Sequence, residues 1–192
     1  MPAEARVTSI WKKQKLFISL FLIAIGSWFF WDGAVGYPKS NERFLKYEEY
    51  ENARNMAGWR EYAKSRGWVT EKPHKLHKQQ DINVQFVLAG LLAVIGSTVL
   101  IYWLTQKGRI LRSDDEAVYT PSGTRVPFEA ITGLGKKNWD AKGLATVRYQ
   151  IGGKQRQFVI DDYKFDPDPT RKIFTEIEER LKGPTPSEPQ SS

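Results

Sequence analysis

Cysteine is absent from the 192 residues, and histidine occurs only twice, at His74 and His77. No disulfide framework and no thiolate metal site can be built from such a chain. Both histidines lie in the polar stretch between two apolar runs. The C-terminal third therefore has no imidazole for general acid–base work. No nucleophile-elbow, zincin, kinase or Cys/His pattern is present. Charge of one sign is not concentrated anywhere either. The formal net charge of +7 divides into +3 over residues 1–15 and +2 over each of 32–81 and 105–192. A nucleic-acid-binding stripe needs a denser patch, so no nucleic-acid partner is expected. A basic, membrane-facing surface accounts for the excess.

Two segments lack charge. Phe86–Leu104 runs for nineteen residues without one, with Ser97, Thr98 and the interfacial pair Tyr102 and Trp103 as its polar members. At about 1.5 Å per residue it is long enough for a bilayer core of about 30 Å. Leu16–Trp31 is the second run. It is shorter, with Lys15 able to snorkel at one end and Trp28-Phe-Phe-Trp31 forming an aromatic end. A cleaved signal peptide is the competing reading of the basic start and apolar run. No small-x-small cleavage site follows, which favours an uncleaved span. Transmembrane helices are predicted at 15–35 and 82–105, after a basic segment at 1–14. Ala89, Ala93 and Ser97, at i, i+4, i+8, form a small-residue face for helix packing, with Ala24, Gly26 and Ser27 opposite. The same stripe could serve a homo-oligomer. The basic residues Arg6, Lys12, Lys13 and Lys15 orient both termini toward the cytoplasm.

Residues 36–81 read as a polar, mostly helical inter-span segment. A helix is expected after the Pro38 break, with Phe44, Tyr47, Tyr50, Ala53 and Ala57 along one stripe. Gly58 is a candidate split, Trp59, Tyr62 and Ala63 resume the stripe, and Gly67 ends it. These aromatics are expected to pack on the membrane surface or on the hairpin ends. His74 and His77 have the i, i+3 spacing of a shared metal site on a helix. Lys72, Lys75 and Lys78 oppose a cation there, so no metal is expected.

Residues 108–182 read as strands followed by one helix. Strands are predicted at 110–112, 117–120, 124–128, 131–137, 144–151 and 154–161. The turn at Ser113-Asp114-Asp115, the loop Pro121-Ser122-Gly123 and the hairpin turn Gly152-Gly153 separate them. Asn138–Gly143 is expected to be a loop carrying Trp139. Asp168 and Pro169 provide an N-cap and first position for a helix whose Ile173, Phe174, Ile177 and Leu181 face the sheet. Residues 183–192 read as a disordered tail. The segment Arg125-Val-Pro-Phe-Glu-Ala-Ile-Thr-Gly133 and the final helix resemble the PH-like domains of bacterial membrane proteins. The layout as a whole is similar to uncharacterised bacterial two-pass proteins with such a domain at the C-terminus. Six strands are predicted here, one fewer than that fold has. The resemblance implies a binding or scaffolding module at a bacterial inner or plasma membrane, not a catalyst.

Three chemistries compete for a site. Lys136, Lys137 and Lys142 flank Trp139, a pattern suited to anionic lipid headgroups or a partner protein. Asp161, Asp162, Asp166 and Asp168 form the one carboxylate cluster that an enzyme or a calcium ion could use, but the order does not match an EF-hand loop. Gly133-Leu-Gly135-Lys136-Lys137 lacks the phosphate-loop pattern. The expectation is a non-enzymatic membrane protein without cofactor, presenting a PH-like domain to lipid, to a protein partner or within an assembly. An oligomeric transporter or channel component is the first alternative. Neither span carries the buried ionisable residue usual on an ion path.

Overall fold

A computed structural model describes residues 2–182, so the predicted tail at 183–192 lies outside the described residues. The chain is mixed helix and antiparallel sheet and forms two compact units. One unit joins the chain up to Leu16 with the chain from Ile101 onward. The other comprises Phe17–Leu100.

The first unit differs from expectation at its N-terminus. Residues Ala3–Arg6 form a strand, β1, instead of a free basic lead. It pairs antiparallel with β2, Ile110–Ser113, from Ala3 opposite Ser113 to Arg6 opposite Ile110. Strands β3, Ala117–Tyr119, and β4, Arg125–Pro127, complete a four-stranded sheet in sequence order. Strands β5, Ile131–Asn138, β6, Leu144–Ile151, and β7, Lys154–Asp161, make a second, three-stranded sheet. Ala145, Val147 and Tyr149 of β6 are buried while Arg148 is exposed, and Phe158 and Ile160 of β7 flank an exposed Val159. That period of two is the signature of a sheet with one wet face. Gly152 and Gly153 both adopt positive φ, which the tight β6–β7 turn requires.

The N-terminal strand and the residues just after it enter the core. Ala5 is fully buried and Val7 nearly so, and Trp11 joins the same cluster. Backbone bonds stitch this segment to the loop after β7: Asp166 N–H donates to Arg6 O at 2.9 Å and Thr8 N–H to Lys164 O at 2.9 Å. That contact also corrects the last helix, which begins at Pro167, not near Pro169. Both Asp166-Pro167 and Asp168-Pro169 carry the cap-then-proline signal. The Asp166 carboxylate accepts from Arg6 N–H, so the pairing with β1 selects the earlier one. Thr170, Ile173, Phe174 and Ile177 are its buried face.

The second unit holds most of two helices long and apolar enough to cross a bilayer. Helix α1, Ser9–Trp31, continues through a π-helical turn, Asp32–Gly36, into α2, Tyr37–Asn52. The expected break at Pro38 does not occur. Proline stands just after the π turn inside a continuous helix, and that turn absorbs the change of register around the donor the proline lacks. Helix α3, Met56–Ser65, follows a break at 53–55, where Arg54 takes φ +56° and Asn55 caps the helix through Gly58 N–H at 3.0 Å. The break thus precedes Gly58, whose amide the cap needs. Gly67, at φ +67°, ends α3 in a Schellman arrangement: Trp68 N–H reaches Ala63 O and Gly67 N–H reaches Lys64 O. The aromatics of α2 and α3 face one another, not a membrane surface. Trp59 is fully buried among Tyr47, Tyr50, Tyr62 and Trp68, and its indole N–H donates to Thr70 O at 2.7 Å.

Helix α4, Gln79–Gln106, packs against α1 through glycines. A Cβ on Gly26 would stand 3.2 Å from Ala89 O and 3.4 Å from Ala93 N. One on Gly96 would stand 3.1 Å from Ser19 O. Ala89 and Gly96 are buried, whereas Ser97 is exposed. Gly96 therefore takes the seam position expected of Ser97. Seven residues return a helix to within about 20° of the same face, whereas eight overshoot it by about 80°.

Candidate functional site

The lysine–tryptophan segment at 136–142 is partly occupied by the domain itself. Trp139 opens a short helix, α5, Trp139–Lys142, closed by Gly143 at φ +65°. Its indole lies flat on the Phe174 ring of the C-terminal helix, α6, Pro167–Lys182, with centroids 3.9 Å apart and planes 5° apart. Lys136 at the end of β5 pairs with Glu178 of α6. The bond to Lys136 holds the Glu178 carboxyl below the usual carboxylate range. Of the four residues singled out, all three lysines are exposed, Lys136 paired with Glu178 while Lys137 and Lys142 point to no carboxylate in the ion pairs found among the described residues, and Trp139 is half-buried in packing.

The carboxylates at 161–168 hold the turn into α6. Asp161 Oδ1 accepts from Tyr163 N–H at 3.0 Å and Lys164 N–H at 2.9 Å. Asp162 Oδ2 receives the Arg171 guanidinium at 3.0 and 2.8 Å. Asp166 binds β1 as described above. The structure thus distributes three of the four acids to separate backbone and arginine partners. Between them Lys164 turns inward. It is only 8% exposed, lies within 6 Å of the faces of Trp11, Tyr102 and Phe165, and donates to Gln106 Oε1 at 2.7 Å. Burial pushes its pKa down, while Asp161 opposes the shift. Sequence reading passed over Lys164. A lysine between an acidic pair and a phenylalanine reads as surface, and only the fold brings the three rings around it.

His74 and His77 do not converge. His77 stacks on Tyr37 at 3.8 Å, and Asn41 clamps its backbone with bonds of 2.7 and 2.8 Å. His74 is exposed, and the stretch is not helical. No group of three metal-ligating side chains occurs among the described residues.

Sequence reading also missed a basic cleft. About 450 Å³ of open space lies between the linker after α4 and the β3–β4 loop, lined by Arg109, Arg112, Tyr119, Ser122 and Gly123, with Glu4 at its side. Arg109 is fixed from two directions. Its Nε donates to Thr105 O at 3.1 Å and its Nη1 to Pro121 O at 3.2 Å. Arg112 lies over the Tyr119 ring at 4.1 Å. Glu4 stands opposite Arg112 in the β1–β2 register and pairs with Arg6 at 2.8 Å. The signal was present as two arginines three residues apart, 109 and 112, beside a glycine loop. It reads as ordinary surface until β1 supplies the third wall.

No family model, curated protein or solved structure matches the chain.

Proposed function

We propose that this chain is a non-enzymatic integral membrane protein that presents a PH-like domain at the membrane surface, where the domain binds anionic lipid or a protein partner. One observation carries the reading. Strand β1 precedes α1, strand β2 follows α4, and the two strands pair side by side. The outer ends of both apolar helices are thus fastened to one sheet. Two helices that leave a common sheet and return to it suit a hairpin crossing the bilayer twice. Cleavage after the first run would remove a strand and Trp11 from a formed core, which supports the uncleaved reading. With β1 the domain has the seven strands of the PH-like fold, closed by α6, in support of the resemblance. The basic residues 6–15 favour a cytoplasmic side for the domain.

Mechanistically, anchoring supplies effective concentration. A contact too weak to recruit a soluble domain suffices for one held at the bilayer. Lys137 and Lys142 are one candidate contact. Because the chain has no cysteine, single substitutions report topology without background. In membrane vesicles of known sidedness, Lys154→Cys and Lys75→Cys are expected to react with an impermeant maleimide from opposite sides. Modification of both from one side overturns the two-span reading.

A further inference from the structure

We propose that the Arg109–Arg112 cleft is the seat of the phosphate of an anionic phospholipid headgroup. The inference rests on the two-span reading and names the contact through which the domain meets lipid.

Position is the first argument. Helix α4 ends at Gln106, and Arg109 follows three residues later. Three residues of chain reach at most about 11 Å. A group tethered that closely to the end of a bilayer-spanning helix stands in the headgroup layer, whatever the rest of the domain does. Ile110, exposed beside the cleft, adds an apolar contact at the same depth.

Chemistry is the second. Guanidinium groups match phosphate oxygens with forked N–H pairs, and they bind best when already held in place. Both arginines are held. Arg109 is bridged to Thr105 and Pro121, which leaves its Nη2 unengaged by any contact found among the described residues. Arg112 is stacked on Tyr119. The Ser122 hydroxyl, hydrogen-bonded to Thr120 Oγ1 at 2.8 Å, offers a neutral partner at the loop tip. Glu4 is the one acid on the wall, and its charge is met by Arg6 on the same strand. On the cleft wall itself, two arginines thus stand against one carboxylate.

The shared chemistry is a phosphate ester, which either a lipid or a soluble metabolite could supply. Continuity with α4 favours the lipid. The test uses the full chain in detergent micelles with equal amounts of phosphatidylglycerol and phosphatidylcholine, and reads bound lipid by native mass spectrometry. Wild type is expected to retain phosphatidylglycerol roughly tenfold over phosphatidylcholine, as two charge-assisted contacts allow. Arg109→Gln/Arg112→Gln is expected to bring the ratio to parity. Arg109 also braces the β3–β4 loop, so Ser122→Asp serves as a second variant. It places an acid at the exposed tip and is expected to abolish the preference with the melting curve unchanged. Glu4→Gln is expected to raise the preference. Lys154→Gln, at the β6–β7 turn and outside the cleft lining, is expected to leave it intact.

Parity in the wild type, an unchanged ratio in folded Ser122→Asp, or equal loss in the lysine variant overturns the proposal. Soluble glycerol 3-phosphate is expected to displace the lipid only at millimolar concentration. Displacement at the lipid's own concentration overturns the headgroup assignment in favour of a free phosphate ester. Carbonate extraction separates the two levels. A protein that stays in the membrane but shows no preference refutes the cleft alone, and one that is extracted refutes the two-span reading.

Discussion

Gly96 shows what a single hydrogen atom in place of a side chain does between two helices. Its missing Cβ is what lets Ser19 O and Ile23 approach. Substitution Gly96→Leu is expected to destabilise the pair by about 1–3 kcal/mol, because neither backbone can yield without parting the helices. A lowered melting temperature in detergent, with Ser97→Leu as an exposed control, is the measurement. Asp114 makes a different kind of contribution. Its carboxylate accepts from Glu116 N–H at 2.9 Å, Ala117 N–H at 2.8 Å and the Tyr119 hydroxyl at 2.9 Å. These bonds, the two backbone ones foremost, hold its pKa below the ordinary aspartate value. The unfolded chain therefore takes up the proton first as pH falls. The stabilisation is complete above an unfolded value of about 4 and is lost as pH drops through the folded value. The stability gap between wild type and Asp114→Ala is expected to close over that acid range in melting curves. A gap independent of pH would refute the assignment.

At the scale of elements, the strand–turn alternation from Ile110 to Asp161 was legible because most of the strands are bounded by glycine, proline or aspartate turns, and β6 and β7 alternate on a buried face. Strand β1 was not. Ala3–Arg6 contains no β-branched or aromatic residue, and its charges resemble a membrane-flanking lead. Its structure is imposed by pairing over a separation of more than a hundred residues, which no local pattern encodes. The aromatic stripe of α2 and α3 was visible as a stripe, but its partner was misjudged. Period reveals that a face is apolar, and contact alone reveals against what. The site followed the same division. Lys136 and Trp139 were found by their residue types, yet Glu178 and Phe174, which engage them, lie on a helix some forty residues away in sequence. The strand supplies a sharp test. Ala5→Asp buries a carboxylate where Ala5 has no exposure. It is expected to cost about 3 kcal/mol or more and to render the β domain susceptible to limited proteolysis. An undiminished protease resistance would show that β1 is dispensable.

For the whole molecule, the two units are not two segments of sequence. The β domain needs chain from both outer ends of the helical pair. Residues 2–16 joined through a glycine–serine linker to 101–182 are therefore expected to give a folded domain with dispersed amide resonances. Residues 108–182 alone, lacking β1 and Trp11, are expected to give a collapsed spectrum or aggregate. Folding of the shorter piece would refute the role assigned to the N-terminus.

The pairing of β1 with β2 also dictates an order of events during synthesis. Strand β1 leaves the ribosome first and then waits while the two apolar helices and the segment between them are made. Closing so long a loop costs little more free energy than closing one half its length, but it delays the sheet until both helices have been delivered. On the proposed two-span reading, insertion of only one helix would leave β1 and β2 on opposite faces of the bilayer, and the sheet could not form. Completion of the domain is then a built-in proof of correct insertion. A misinserted chain would carry an unpaired β2 edge and an exposed core, the features by which proteolytic surveillance distinguishes failed products from finished ones.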